Sequence, residues 1–215
     1  PELLTVSWCV LARLMTPGDL PTVLVVDDEP DVADAYAAQL SGDYDVKTAY
    51  SGEEALEQLT PAVDVVLLDR RMPGVSGDDV LAEIRKLNLD CRVAMVTAVE
   101  PDFDIIEMPF DDYVIKPVSQ QDLYDTIERL LTCAEYEAKL QEYYGLTSKY
   151  ATLLSNKSNA ELEDSDEFAE LTERRETVRE ELDATVEQFD DEDFAAVFRE
   201  LHEGHHTPHE PADRT

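Results

Sequence analysis

Four short apolar runs, each cut off by a chemically active side chain, constrain this chain more than any other feature. Val23-Leu24-Val25-Val26 ends at Asp27 and Asp28, and Val65-Val66-Leu67-Leu68 ends at Asp69. Arg92-Val93-Ala94-Met95-Val96 ends at Thr97, and Tyr113-Val114-Ile115 ends at Lys116, which Pro117 follows. Runs this short and β-branched suit parallel strands covered on both faces. With a further run they predict strands over about 22–27, 44–49, 64–69, 92–97 and 112–116, alternating with helical patterns. That alternation is the signature of an α/β fold, a five-stranded parallel sheet doubly wound with helices on both faces. In such a sheet the carboxyl ends of the strands converge on one crevice, where ligands bind. Three carboxylates, a hydroxyl and an ammonium would meet there. Crowded carboxylates repel unless a hard cation lies between them, and an all-oxygen set suits Mg²⁺, with Mn²⁺ as the alternative. Lys116 is then free to pair with an incoming anion, and Thr97 can donate to a phosphoryl oxygen. The combination points to phosphoryl transfer onto a carboxylate.

The stretches Val25-Val26-Asp27-Asp28-Glu29-Pro30, Leu67-Leu68-Asp69-Arg70-Arg71-Met72-Pro73-Gly74, Val96-Thr97-Ala98 and Tyr113-Val114-Ile115-Lys116-Pro117 carry a family likeness. Through them residues 21–132 resemble a response-regulator receiver domain of the CheY-like type. The resemblance implies a flavodoxin-like fold and phosphorylation of Asp69 by a sensor histidine kinase. It implies that Asp27, Asp28, Asp69 and the backbone carbonyl of Arg71 hold Mg²⁺. Thr97 and Lys116 would bind the phosphoryl group, and Tyr113 would be the aromatic whose rotamer reports the phosphorylated state. Such a domain is a phospho-accepting regulator rather than a free-standing enzyme, although it assists its own phosphorylation and dephosphorylation. A hydrolase using an aspartyl nucleophile would want a second aspartate two residues after Asp69, where Arg71 stands.

Within this region Ser51-Gly52-Glu53-Glu54 fits a capping box opening a helix to about Leu59, ahead of Pro61. Val80, Leu81, Ile84 and Leu87 recur at helical spacing over Gly77 to Leu87. The fourth helix is weakly specified: residues 99–111 contain Pro101 and Pro109, and the latter limits any helix to two turns or fewer. Ser119 and Asp122 fit the cap of the last helix, with Leu123, Ile127, Leu130 and Leu131 facing inward.

Helical pattern then continues through Tyr136, Leu140, Tyr143 and Tyr144 to about Leu154, across Gly145, and a polar break follows at 155–159. A second helix is expected from about Asp166 to Gln188, with Phe168, Leu171, Val178, Leu182 and Phe189 along one seam and Arg175 in a seam position. Two such helices read as an antiparallel hairpin or a coiled-coil dimer element, an all-α module on which Phe194, Val197, Phe198 and Leu201 could pack. Residues 133–203 resemble the HalX domain, on Glu135-Tyr136, Leu140-Gln141-Glu142-Tyr143-Tyr144 and Leu162-Glu163-Asp164-Ser165. The resemblance implies a role in transcription. Two outputs compete: contact with DNA through Arg174, Arg175 and Arg179, or protein–protein contact as a homodimer, as a scaffold, or on a kinase or the transcription machinery. The plainer role of these arginines is ion pairing with Glu170, Glu173 and Glu176 along a solvated helix. All four histidines, His202, His205, His206 and His209, fall near the end, where Gly204 and Pro208 break the spacing a metal site would need and 204–215 reads as a disordered tail.

Acidic residues outnumber basic ones 50 to 17, for a net charge of −33, and the excess runs through both regions. A uniform acidic coat of this kind resembles proteins of salt-in halophiles, where molar salt screens self-repulsion. It also offers little attraction to nucleic-acid phosphate. Cys9, Cys91 and Cys133 are isolated and fit a reducing cytoplasm, and no run approaches the length of a membrane span. Residues 1–20 precede the first strand as an N-terminal extension, and Met15 is the expected start.

Overall fold

The computed structural model describes residues 20–186. The expected N-terminal extension, the apolar pattern from Phe189 to Leu201 and the four histidines lie outside the described residues. The chain divides into two compact units between Thr132 and Cys133.

In the first unit five strands, β1 (Thr22–Val26), β2 (Asp45–Ala49), β3 (Val65–Leu68), β4 (Arg92–Thr97) and β5 (Asp112–Ile115), form one sheet in the order β2-β1-β3-β4-β5. Every pairing is parallel, with Val26 opposite Ala49 and Leu68, Leu68 opposite Met95, and Thr97 opposite Ile115. The chain leaves β1 for one edge and returns to its other side at β3, so the direction of winding reverses between β1 and β3. A crevice opens at that reversal.

The alternating faces of the same runs build two cores. Leu24, Val26, Val66, Leu68, Val93 and Met95 pack with Ala55, Val80, Leu81 and Ile84. Val23, Val25, Val65, Leu67, Ala94 and Val96 pack with Ala33, Tyr36, Leu40, Leu123, Ile127 and Leu130. The first face is covered by α2 (Gly52–Gln58) and α3 (Gly77–Lys86), the second by α1 (Pro30–Leu40) and the start of α4 (Gln120–Asn156). Each helix starts for a local reason. Pro30 opens α1, where a missing N–H costs nothing. Ser119 and Asp122 cap α4 reciprocally. At α2 the expected box is only half formed: the Ser51 hydroxyl accepts the Glu54 amide, but the Glu54 carboxylate accepts from Tyr50 N at 2.8 Å instead.

The complete box is at α3, where Ser76 accepts the Asp79 amide and Asp79 accepts the Ser76 amide. These Ser76 hydrogen bonds hold the Asp79 carboxyl below the usual carboxylate range. Ser76→Ala is expected to lower stability by about 1 kcal/mol, read as an earlier chemical-denaturation midpoint with an unchanged slope.

The weak fourth helix is a five-residue 3-10 turn, Phe103–Glu107, with no buried residue and with Phe103 and Ile106 85% and 75% exposed. Pro109 caps its possible length as expected. The bond between Lys116 and Pro117 is cis.

The second unit is a helical hairpin. The distal part of α4 runs to Asn156, the short helix α5 (Asn159–Glu163) turns the chain, and α6 (Asp166–Val186) returns. The turn helix is absent from the sequence reading, which sees only a polar break; a Ser158–Glu161 capping box forms it. Tyr150 stacks on Phe168 with ring centroids 5.2 Å apart, the Arg175 guanidinium lies 3.9 Å over the Tyr150 ring, and Val178 and Leu182 are buried. Arg174 clasps Glu142 through two hydrogen bonds, and Lys139 reaches Glu181 at 3.6 Å. These pairings run antiparallel along one chain.

Candidate functional site

The residues that end the strands are held by the sheet itself. The ladder continues one step past each strand: Asp27 N donates to Ala49 O, Asp69 N to Val26 O and Lys116 N to Thr97 O. Their side chains are therefore presented from fixed backbone. Asp27 and Asp69 are 2% and 7% exposed, close to full burial for two carboxylates. Lys116 makes that tolerable: its Nζ lies 2.6 Å from Asp27 Oδ2 and 3.3 Å from Asp69 Oδ1. The remaining oxygens take backbone donors, Glu29 N on Asp27 Oδ1 and Arg71 N on Asp69 Oδ2. Burial pushes the Lys116 ammonium down, but the Asp27 hydrogen bond and the charges of Asp69 and Asp27 more than offset it, leaving its pKa raised.

In front of this cluster lies an open cleft of about 670 Å³ lined by Asp28, Glu29, Asp69, Arg71, Thr97, Ala98, Val99 and Glu100. Asp28, Arg71 and Thr97 thus share the opening with Asp69, while Asp27 sits behind it on the lysine. Among the described residues, no three His, Cys, Asp or Glu side chains are gathered as a ready-made metal centre. The donor chemistry still fits a hard cation. Asp28 and Asp69 offer oxygens to the cleft, and Mg²⁺ characteristically binds through one or two carboxylates while keeping several waters.

Thr97 and Tyr113 meet through one residue. Val99 N donates to Thr97 Oγ1 over a long 3.4 Å, and the Tyr113 hydroxyl donates to Val99 O at 2.8 Å. The Tyr113 ring packs on Phe110, 5.4 Å between centroids. A displacement of the loop after β4 therefore reaches the Tyr113 phenol through a single residue, Val99.

Two residues passed unremarked in the sequence belong to this neighbourhood. Tyr36 of α1 has its phenol pKa raised by burial, and it feels Lys116, Asp27 and Asp69; its place in a helical apolar pattern hides this. Arg70 follows Asp69, and its guanidinium pairs with Asp78 and Asp104. Neither partner is near enough in sequence to announce the pairing.

Arg174, Arg175 and Arg179 lie in the second unit, and each is engaged. Arg174 pairs with Glu142, while Arg175 and Arg179 both pair with Glu176. Of the three expected glutamate partners Glu176 is used; Arg174 reaches across the hairpin rather than along its own helix. Cys91 is a buried free thiol, and Cys133 is buried as well. Among the described residues no helix is long and apolar enough to cross a membrane.

Comparison with known proteins agrees with this geometry. Residues 23–128 match the family model described as the response regulator receiver domain, and residues 132–198 match the HalX domain. A candidate transcriptional regulator of Haloferax volcanii is 52% identical over 165 residues, which is 76% of this chain and 28% of that protein. The response regulator SaeR of Staphylococcus aureus (strain USA300) is 37% identical over 114 residues, 51% of this chain and 50% of that protein. This chain therefore spans half or less of the length of either relative. Among solved structures, a CheY-like response regulator receiver domain protein from Methanospirillum hungatei superposes with a TM-score of 0.51 at 27% identity, covering 55% of this chain and 99% of that one.

Proposed function

The chain belongs to the response regulator receiver family over residues 23–128 and to the HalX family over residues 132–198, and on that footing we propose that it is a two-component regulator phosphorylated on Asp69. The observation that carries the proposal is Lys116 Nζ, held between Asp27 and Asp69 beside a cleft that Asp69 lines. In the transfer, an Asp69 carboxylate oxygen attacks the phosphorus of a phosphohistidine on a sensor kinase. The P–N bond breaks, the imidazole leaves with a proton taken from solvent, and an acyl phosphate remains. Asp28, Asp69 and the Arg71 carbonyl would hold Mg²⁺, with Asp27 behind them; Mn²⁺ fits the same donors. The bound metal supplies positive charge against the phosphoryl oxygens. Lys116 reaches a phosphoryl oxygen from the Asp69 side, and the Thr97 hydroxyl donates to another. Movement of Thr97 toward the phosphoryl group displaces Val99, and with it the hydrogen-bond acceptor of Tyr113.

The output assigned to the second unit is transcriptional regulation through protein contacts. Arg174, Arg175 and Arg179 are each spent on glutamate, and the excess of acid leaves little pull on DNA phosphate. A cytoplasmic, salt-adapted regulator that dimerises on phosphorylation accounts for these features together. A scaffold without a transcriptional target is the second reading, favoured by the same engaged arginines.

The test is labelling of the full chain with acetyl phosphate and Mg²⁺ in molar KCl, read by intact mass and light scattering. Wild type is expected to gain one phosphoryl mass, with a rise toward twice the molar mass, and Asp69→Asn to gain none. An intact fold that takes no label, or label that survives in Asp69→Asn, would sink the assignment.

A further inference from the structure

The 3-10 turn Phe103–Glu107 buries none of its own residues, and the flanking Pro101 and Pro109 keep it short. Its own packing is slight: Ile105 is partly buried, and Met108 and Phe110 beyond it pack on the first core. Among the described residues its side-chain tie to another element is Asp104, whose Oδ2 accepts from Arg70 Nη2. Arg70 is unusual for an arginine flanking an open cleft: its side chain is only 12% exposed, against 53% for Asp104 and 46% for Asp78.

The guanidinium is aimed, not merely nearby. Arg70 Nε donates to Asp78 Oδ1 at 3.1 Å and Nη2 to Asp78 Oδ2 at 3.3 Å, a fork on the first turn of α3, before Nη2 turns to Asp104. Its backbone is fixed as well, since Arg70 O accepts from Gly77 N at 3.0 Å and the preceding Asp69 N is tied to the sheet. Hydrogen bonds that the guanidinium donates to Asp104 and Asp78 raise its pKa against an opposing burial effect, and the Tyr113 hydroxyl adds to them. The Tyr113 hydroxyl also donates to Val99 O, in the loop that begins beside Thr97. One planar cation thus joins the residue after Asp69, the start of α3 and the exposed turn, with Tyr113 at its side.

We propose that Arg70 is a positioning residue that clamps the Phe103–Glu107 turn to the loop carrying Asp69, so that a change at Asp69 reaches the exposed Phe103 and Ile106 through an ion triad rather than through core packing. The proposal rests on Asp69 being the phosphoacceptor. An arginine suits the task because its fork can hold Asp78 while a second N–H reaches Asp104, which a lysine point charge cannot do. Partial burial of the cation limits its screening by salt.

The experiment is amide hydrogen exchange on the full chain in molar KCl, with and without acetyl phosphate and Mg²⁺, for wild type, Arg70→Gln, Asp104→Asn and the double variant. Each single variant is expected to speed exchange in 103–107 roughly three- to tenfold, with sheet amides unchanged. The double variant is expected to be no faster than the faster single one, because both remove the same contact. Phosphorylation is expected to alter exchange in 103–107 in wild type and to lose that effect in both singles, although Asp69 is labelled to the same extent. Unchanged exchange in Arg70→Gln, additive effects in the double variant, or a phosphorylation response that persists in the singles would overturn the clamp. If wild type takes no label, the phosphoacceptor assignment fails, and the label-free arms still report on whether Arg70 holds the turn.

Discussion

Gly77→Ala is expected to destabilise the protein by about 2–4 kcal/mol, whereas Gly145→Ala is expected to stabilise it by about 0.5–1 kcal/mol. Both glycines are helical, so propensity alone would give both substitutions the same sign. The difference is space. An ideal Cβ on Gly77 would lie 2.2 Å from Asp69 O and 2.9 Å from Arg70 Cα, both backbone atoms, while one on Gly145 meets nothing within 4 Å. Neither side of the Gly77 contact can yield cheaply. The α3 side is set by its capping box and by Val80, Leu81 and Ile84, at most 1% exposed; the other side is the peptide of Asp69, tied to β1. Denaturation of the full chain in molar KCl checks both values. The same displacement should slow acetyl-phosphate labelling in Gly77→Ala, since it moves the Asp69 backbone. A Gly77→Ala protein as stable as wild type would show that α3 can slide away without loss.

Lys116→Met is expected to cost about 3 kcal/mol in metal-free buffer, and Mg²⁺ at roughly millimolar concentration is expected to restore part of it. Removing the ammonium strands Asp27 and Asp69, both nearly buried, with like charges facing each other across the place it held. A divalent cation can replace that charge. Urea denaturation with EDTA and with MgCl₂, wild type beside variant, measures the difference; an equal loss in both buffers would show that metal and lysine do not serve the same carboxylates. The pH dependence follows from the raised pKa of Lys116. Its contribution is fully present below the unfolded lysine value of roughly 10.4 and is lost as pH rises through the folded value, so on the alkaline side the gap between wild type and variant should persist until pH exceeds that value.

The central strands β1, β3 and β4 were legible because each is a run of four to six residues that is almost wholly buried. The partly exposed β2 and β5 were legible through the alternation of strand and helix patterns, and the active side chains because they end these runs. Asp27, Asp69 and Lys116 meet as the convergence of strand ends requires. What stayed hidden depends on partners far along the chain. Arg174 looks along its own helix for an acid in the sequence and finds Glu142, 32 residues away, in the structure. Arg175 at an apolar seam position is explained only by the Tyr150 ring beneath it. Glu54 satisfies Tyr50 N rather than Ser51 N, a difference of one residue that spacing rules do not resolve. The turn helix at 159–163 is polar throughout except for Leu162 and Ala160, too short for any periodicity to show.

The cross-hairpin pairs also act as a check against misalignment. In one the acid is on α4 and the base on α6, Glu142 with Arg174; in the other the order is reversed, Lys139 with Glu181. Because the polarity alternates, sliding one helix by a turn does not merely lose contacts. In one direction it sets Glu142 against Glu170 and leaves Lys139 opposite Thr177; in the other it sets the carboxylate against Val178. An acidic protein has few cations to place, and here two of them proofread the register of the fold.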